Sequence, residues 1–192
     1  MSIDFRPLSK YDLNYSKVIE LYKEAFPGVR RVPSCILRYI MRKGKAGFFV
    51  LYQHESWIGL IYLTEYRDIV FVHFFAISQA RRSGGYGSKV MESLKAMYSQ
   101  KRIVLNIEEL NEQEENYQQR LKRKAFYERN GFVSSGYIVK EPGERLEMMI
   151  FGGSITKEEV KAMYKSLFGR MLGSFIRPDV IEIDKKLAAD RC

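Results

Sequence analysis

Between residues 46 and 78 the apolar side chains keep a spacing that no amphipathic helix shares. Residues 46–53 (AGFFVLYQ), 57–66 (WIGLIYLTEY) and 68–78 (DIVFVHFFAIS) are dense in aromatic and β-branched side chains. Such side chains suit the pleated, half-buried surface of a strand. His54-Glu55-Ser56 separates the first two runs and leaves room only for a tight hairpin. The centre of the chain therefore reads as an antiparallel meander of three strands, and the flanking segments have to pack around it.

Those flanks return to helical spacing. Residues 9–26 place Leu13, Val18, Leu21, Tyr22 and Ala25 near one helical face, with Ser9 or Asp12 as a cap and Pro27-Gly28 as a stop. Pro33 and Ser34 open a second helix over 34–43, closed by Gly44. Residues 86–99 set Val90, Met91, Leu94 and Met97 on one side, and residues 115–130 form a further helix ending at Asn130-Gly131. Residues 2–6 and 102–108 read as strands, and 132–139 and 145–151 as a closing pair around Pro142-Gly143. A helix between the strands at 68–78 and 102–108 favours a parallel, right-handed crossover. The expected fold class is α/β (α+β): a mixed, mostly antiparallel central sheet flanked by helices, with a C-terminal helical tail.

At 192 residues the chain suits one domain plus an appended segment. The expected division is a domain over 1–151 and a tail over 152–192, packed on the domain or on a partner subunit. In the tail, Thr156 followed by Glu159 is a capping box opening a helix to about Leu167. Ile176-Arg177-Pro178 breaks that helix, and Val180 to Ile183 reads as a short strand.

Composition excludes several classes. The longest stretch without a charge, Ile69 to Ala80, has twelve residues, and a membrane-spanning helix needs about 20. The opening residues carry Asp4, Arg6, Lys10 and Asp12, unlike a secretory signal. Cys35 and Cys192 make no disulfide framework, and no Cys/His spacing calls for a metal. The expectation is a cytoplasmic protein with reduced thiols. A formal net charge of +9 favours anionic partners without choosing among nucleic acid, acidic membranes and phosphorylated ligands.

Chemistry concentrates in Phe74 to Leu94 (FFAISQARRSGGYGSKVMESL), where a strand runs through a glycine-rich turn into a helix. Gly84, Gly85 and Gly87 let backbone approach a ligand closely. Amides and dipole at a helix N-terminus favour an anion such as pyrophosphate, with Arg81 and Arg82 beside them. The turn matches neither the Walker loop nor the dinucleotide fingerprint G-x-G-x-x-G.

Arg82-Ser83-Gly84-Gly85-Tyr86-Gly87 does read R-x-x-G-x-G, and Phe126-Tyr127-Glu128-Arg129-Asn130-Gly131-Phe132 reads FYxxxGF some forty residues later. Together these resemble the GNAT superfamily of acetyl-CoA-dependent N-acetyltransferases, over about residues 3–150. The resemblance implies that backbone at Phe75, Ala76 and Ile77, in a splayed strand, aligns the pantetheine arm of acetyl-CoA. It implies a pyrophosphate site at Arg82, Gly84, Gly85, Tyr86, Gly87 and Ser88. It also implies that Tyr127 protonates the departing thiolate. A phenol is a sensible donor where charge develops on sulfur. Many members have an asparagine seven residues before the tyrosine; here that position is Arg120.

The general base has two candidates. Glu108 ends the strand at 102–108, and His73 lies in the strand at 68–78, where its ordinary pKa of about 6.5 suits the task. Against this, His73 alternates with Ile69, Phe71, Phe75 and Ile77 as a packed sheet residue would. Residues 28–45 hold Arg30, Arg31, Arg38, Arg42, Lys43 and Lys45 with no acid, either a solvated face or a surface for an acidic acceptor. The expected activity is acetyl transfer to a primary amine of a small molecule or peptide, by direct attack in a ternary complex. RNA-directed (aminoacyl-tRNA) acetylation and a non-enzymatic acyl-CoA-binding module stand as alternatives. No membrane partner is expected, nucleic acid is not favoured, and a homodimer fits the family's habit.

Overall fold

The computed structural model describes residues 3–9, 11–25, 46–141, 143–172 and 179–183. The helix expected over 34–43, the basic run at 28–45 and both cysteines lie outside the described residues. The chain forms two compact units, Met1–Lys101 and Arg102–Cys192.

In the first unit, β1 (Asp4–Pro7), β2 (Ala46–Gln53), β3 (Ser56–Tyr66) and β4 (Ile69–Ile77) pair in sequence order, each antiparallel to the next. The turn between β2 and β3 is only His54 and Glu55, both at positive φ (46° and 59°), as the tightest hairpins require. Ser56, read as part of the turn, already belongs to β3, opposite Gln53. Arg6 on β1 closes over this turn, its Nη1 donating to Glu55 at 2.9 Å.

Helix α1 (Tyr15–Ala25) buries Val18, Leu21 and Tyr22 against Phe48, Val50, Tyr52, Leu60, Tyr62, Phe74 and Ala76 of the sheet. Each such large apolar side chain contributes about 1.5–3 kcal/mol when removed from water. The Tyr22 ring meets Phe74 edge-on at 5.1 Å. The helix starts later than expected, and Leu13 is fully exposed instead of sharing its inner face. The cause is local: Asp12 Oδ1 accepts the Asn14 amide at 2.7 Å, and Asn14 Nδ2 donates to the Tyr52 hydroxyl at 3.0 Å. These bonds hold residues 12–14 in a turn that points Leu13 away. Helix α2 (Tyr86–Met97) buries Val90, Met91 and Leu94, whereas Met97, expected on the same side, is half exposed at the helix end.

In the second unit, β5 (Arg102–Glu108), β7 (Glu144–Phe151), β6 (Val133–Glu141) and β8 (Asp179–Glu182) pair antiparallel in that spatial order. Ser134 opposes Met149 and Ile138 opposes Glu147, so residues 135–137 bulge opposite Met148, with Gly136 at φ +84°. Helix α3 (Tyr117–Arg129) lies between β5 and β6 in the chain, and α4 (Lys157–Leu172) follows β7. The capping box is present at α4: the Thr156 amide donates to Glu159 Oε2 at 2.9 Å, and the Glu159 amide to Thr156 Oγ1 at 3.2 Å. Glu159 also pairs with Arg102 at 2.7 Å, tying the helix start to β5. Tail residues thus pack within this unit, β8 as an edge strand and Tyr164 buried with its hydroxyl 2.6 Å from Asn106 Nδ2.

Candidate active site

The glycine-rich turn lies in the first unit and leaves β4 through a buried Ser78 and a short 3₁₀ turn, Gln79–Arg81. Ser83 and Gly85 take positive φ (64° and 73°), and Gly85 is the N-cap of α2 with no side-chain cap. The amides of Tyr86 and Gly87 therefore point out of the helix start with no acceptor inside it. Gly85 has open space where a Cβ would lie, so its backbone angle, not crowding, calls for glycine. At Gly84 a Cβ would fall 2.7 Å from the Tyr86 ring, which folds back over the turn beneath Lys89, 5.4 Å above it. Gly84, Gly85, Tyr86, Gly87 and Ser88 are thus brought together as one uncapped, cation-flanked helix start, a donor set that fits a pyrophosphate.

Arg82 is fastened from its side chain. Its Nε donates to the Ile77 carbonyl at 3.2 Å, and its Nη2 lies 3.3 Å from Glu24 Oε1 of α1. Arg82 therefore ties the end of β4 to the turn and to α1. Phe75, Ala76 and Ile77 stand opposite Ile61, Leu60 and Gly59. Alternate residues of such a pair turn their N–H and C=O away from the partner strand. Gly59 is required by proximity: its Cβ would lie 2.2 Å from the Ala76 carbonyl oxygen.

His73 also belongs to this unit. Its Nε2 is 2.7 Å from Thr64 Oγ1, and its ring centroid lies 4.2 Å from that of Phe71 and 5.0 Å from that of Tyr62. Burial pushes its pKa down to about 3, so the ring is neutral at pH 7. The expected alternation with Phe75 and Ile77 does not hold. Phe74 and Ala76 occupy the core face beneath α1, because β4 has an extra residue at His73.

Tyr127 and Glu108 lie in the second unit. Tyr127 is the one buried residue of α3, edge-on to Phe126 at 5.0 Å and to Phe132 at 5.7 Å. Burial pushes its phenol up to about 12, with Arg123 pulling the other way, so it keeps its proton at neutral pH. Arg123, one turn before Tyr127, makes an ion pair with the buried carboxylate of Glu108. The neighbouring Lys124 pairs with buried Glu147 at 2.8 Å. Arg120 adds a third tie, donating from Nη1 to the Glu109 carbonyl at 3.0 Å and from Nε to Asn116 Oδ1 at 2.7 Å. Helix α3 is thus held by charge more than by apolar packing. Sequence reasoning missed Thr64, Gly59 and Arg123. A glycine inside a strand was the available signal for Gly59; Thr64 offered none. Among the described residues no group of His, Cys, Asp and Glu is arranged to hold a metal ion. No described helix is long and apolar enough to cross a membrane.

Residues 44–134 match the family model described as the acetyltransferase (GNAT) domain. No curated protein matches the sequence. Among solved structures, the chain is similar to a Bacteroides thetaiotaomicron protein described as a GNAT-family acetyltransferase. That match has 23% identity and a TM-score of 0.67, covering 91% of this chain and 98% of the other. An aminoglycoside 6'-N-acetyltransferase complexed with coenzyme A aligns at TM-score 0.58 and 15% identity, covering 79% of this chain and 96% of its own. A Vibrio cholerae spermidine N-acetyltransferase, in complex with CoA and spermine, aligns at TM-score 0.56 and 15% identity over 78% and 95%. The family uses acyl-CoA, and the uncapped glycine-rich turn has the donors such a group needs. The chain has the α/β fold of the GNAT acetyltransferases, and its residues 44–134 are similar to the GNAT acetyltransferase domain.

Proposed function

We propose that the protein transfers an acetyl group from acetyl-CoA to a primary amine by direct attack in a ternary complex. The observation that carries this reading is the start of α2: it follows β4 through the Gln79–Arg81 turn, has no side-chain cap, and is opened by Gly85 at φ +73°. When bound, acetyl-CoA supplies an activated acetyl thioester. The chain's own part is to bind, orient and move protons. Tyr86, Gly87 and Ser88 offer amide donors to pyrophosphate, and the helix dipole adds partial positive charge; the Arg82 amide, expected beside them, already donates to the Gln79 carbonyl at 3.2 Å. Phe75, Ala76 and Ile77 offer backbone groups to the pantetheine arm. Tyr127 keeps its phenolic proton and donates it to the departing sulfur.

The incoming ammonium must lose a proton before it attacks. We assign that proton to the Glu108 carboxylate. His73 is instead committed to the Thr64 hydroxyl at 2.7 Å and packed against Phe71 and Tyr62. The similar structures named for aminoglycoside and spermidine acetylation act on amines, which supports an amine acceptor for this chain. A titration of CoA into wild type and Gly85→Glu tests the reading. Wild type should bind and the variant should not, because the substitution puts bulk and negative charge at the helix start. Equal binding by both would remove this turn from the cofactor site.

A further inference from the structure

Strand β4 has one residue more than the stretch of β3 it pairs with. Tyr62 opposes Phe74 and Leu63 opposes Val72, which leaves His73 as the extra residue of a β-bulge. The consequence falls on the next four residues. On β3, Leu60, Tyr62 and Thr64 share one face; opposite them stand Ala76, Phe74 and Phe71. Without the bulge, strict alternation from Phe71 would send Phe75 and Ile77 to that face. With it, Phe74 and Ala76 enter the core beneath α1, and Phe75 and Ile77 turn to the opposite face.

The bulge is pinned at both ends. His73 Nε2 meets Thr64 Oγ1 at 2.7 Å, and its ring lies against Phe71 and Tyr62. Downstream, Gly59 lets the β3 backbone close on Ala76, and the Ser78 amide donates to the Ile58 carbonyl at 2.9 Å. The segment 74–77 is therefore held in one phase, and the imidazole of the extra residue reaches across to β3 through a polar side-chain bond.

We propose that His73 is a positioning residue for the acyl-CoA strand: pinned by Thr64, its bulge sets the phase in which Phe75, Ala76 and Ile77 meet the cofactor. The inference rests on the reading of these three residues as the cofactor segment. His73 takes no proton in this role; it acts through the backbone that follows it.

The test compares Thr64→Val, His73→Ala and His73→Gln with wild type, by CoA titration and by acetyl-transfer kinetics, at a temperature where each is folded. Thr64→Val removes the hydrogen bond while leaving β4 untouched. It and His73→Ala should raise the Kd for CoA and the KM for acetyl-CoA by about tenfold or more, with a much smaller fall in kcat. His73→Gln keeps an amide near the position of Nε2 and should recover most of the affinity. Normal CoA affinity in folded Thr64→Val and His73→Ala, with only a lower melting temperature, would overturn the proposal. So would a collapse of kcat in His73→Gln with loss of the acidic limb of the pH profile, which would make His73 the base. Amide NMR of wild type supplies a readout without variants. CoA should shift the signals of residues 74–78, and CoA binding without such shifts would overturn the inference and leave the pyrophosphate turn standing. Wild type that binds no CoA at all would end the cofactor reading itself.

Discussion

An imidazole held near a pKa of 3 binds fewer protons in the folded state than in the unfolded chain, where its pKa is about 6.5. Above pH 6.5 both states are neutral and the full stability is present. As pH falls from 6.5 toward 3 the unfolded chain takes up a proton that the folded ring refuses, and stability is lost at up to about 1.4 kcal/mol per pH unit. Thermal melts between pH 5 and 8 should show this fall, and His73→Gln should flatten it; an equal slope in the variant would mean that other groups cause it. Tyr127 is the opposite case, a group whose burial keeps a proton on. Tyr127→Phe removes the donor and leaves the ring packing against Phe126 and Phe132, so turnover should fall at least about tenfold while CoA affinity stays near normal. Steady-state kinetics with a CoA titration check this, and unchanged turnover would take Tyr127 out of the acid role.

At the scale of elements, what the sequence revealed followed periodicity and punctuation. The strands at 46–53, 57–66 and 68–78 and the Thr156–Glu159 capping box were legible because short-range patterns encode them. The bulge at His73 was not, because the stretch alternates smoothly as letters and the extra residue appears only when β4 is set against β3. Leu13 misled for a related reason: its apolar spacing continued the helix, but hydrogen bonds from Asp12 and Asn14 stopped the helix short of it. Gly59 belongs to this scale too. Gly59→Ala places a methyl 2.2 Å from a backbone oxygen that no rotamer change moves aside. Overpacking of this kind costs about 1–3 kcal/mol or more. Chemical denaturation should show at least that loss, and a neutral result would mean that β3 and β4 separate there without cost.

For the whole molecule, two motifs in two different units carry the functional reading. R-x-x-G-x-G ends in the first unit at the start of α2, and FYxxxGF runs through Tyr127 in the second. Each was legible because its residue types are demanded by backbone geometry or by buried packing: positive φ at Gly85 and Gly131, and burial at Tyr127 and Phe132. The ties on α3 were less legible, since Arg120, Arg123 and Lys124 look like an ordinary basic helix face until Glu108, Glu109 and Glu147 are placed against them. The acceptor leaves no comparable mark: amines differ in shape and charge, and no short motif encodes the pocket for any of them. The most direct test of acetyl transfer is therefore release of CoA thiol from acetyl-CoA across an amine panel. The panel holds polyamines, amino acids, aminoglycosides, lysine peptides and aminoacyl-tRNA, with a control lacking acceptor. Acceptor-dependent release with one class, abolished by Gly85→Glu, is the predicted result. No release with any of them, from protein shown to bind acetyl-CoA, would contradict acetyl transfer to these amines and leave an acyl-CoA-binding module.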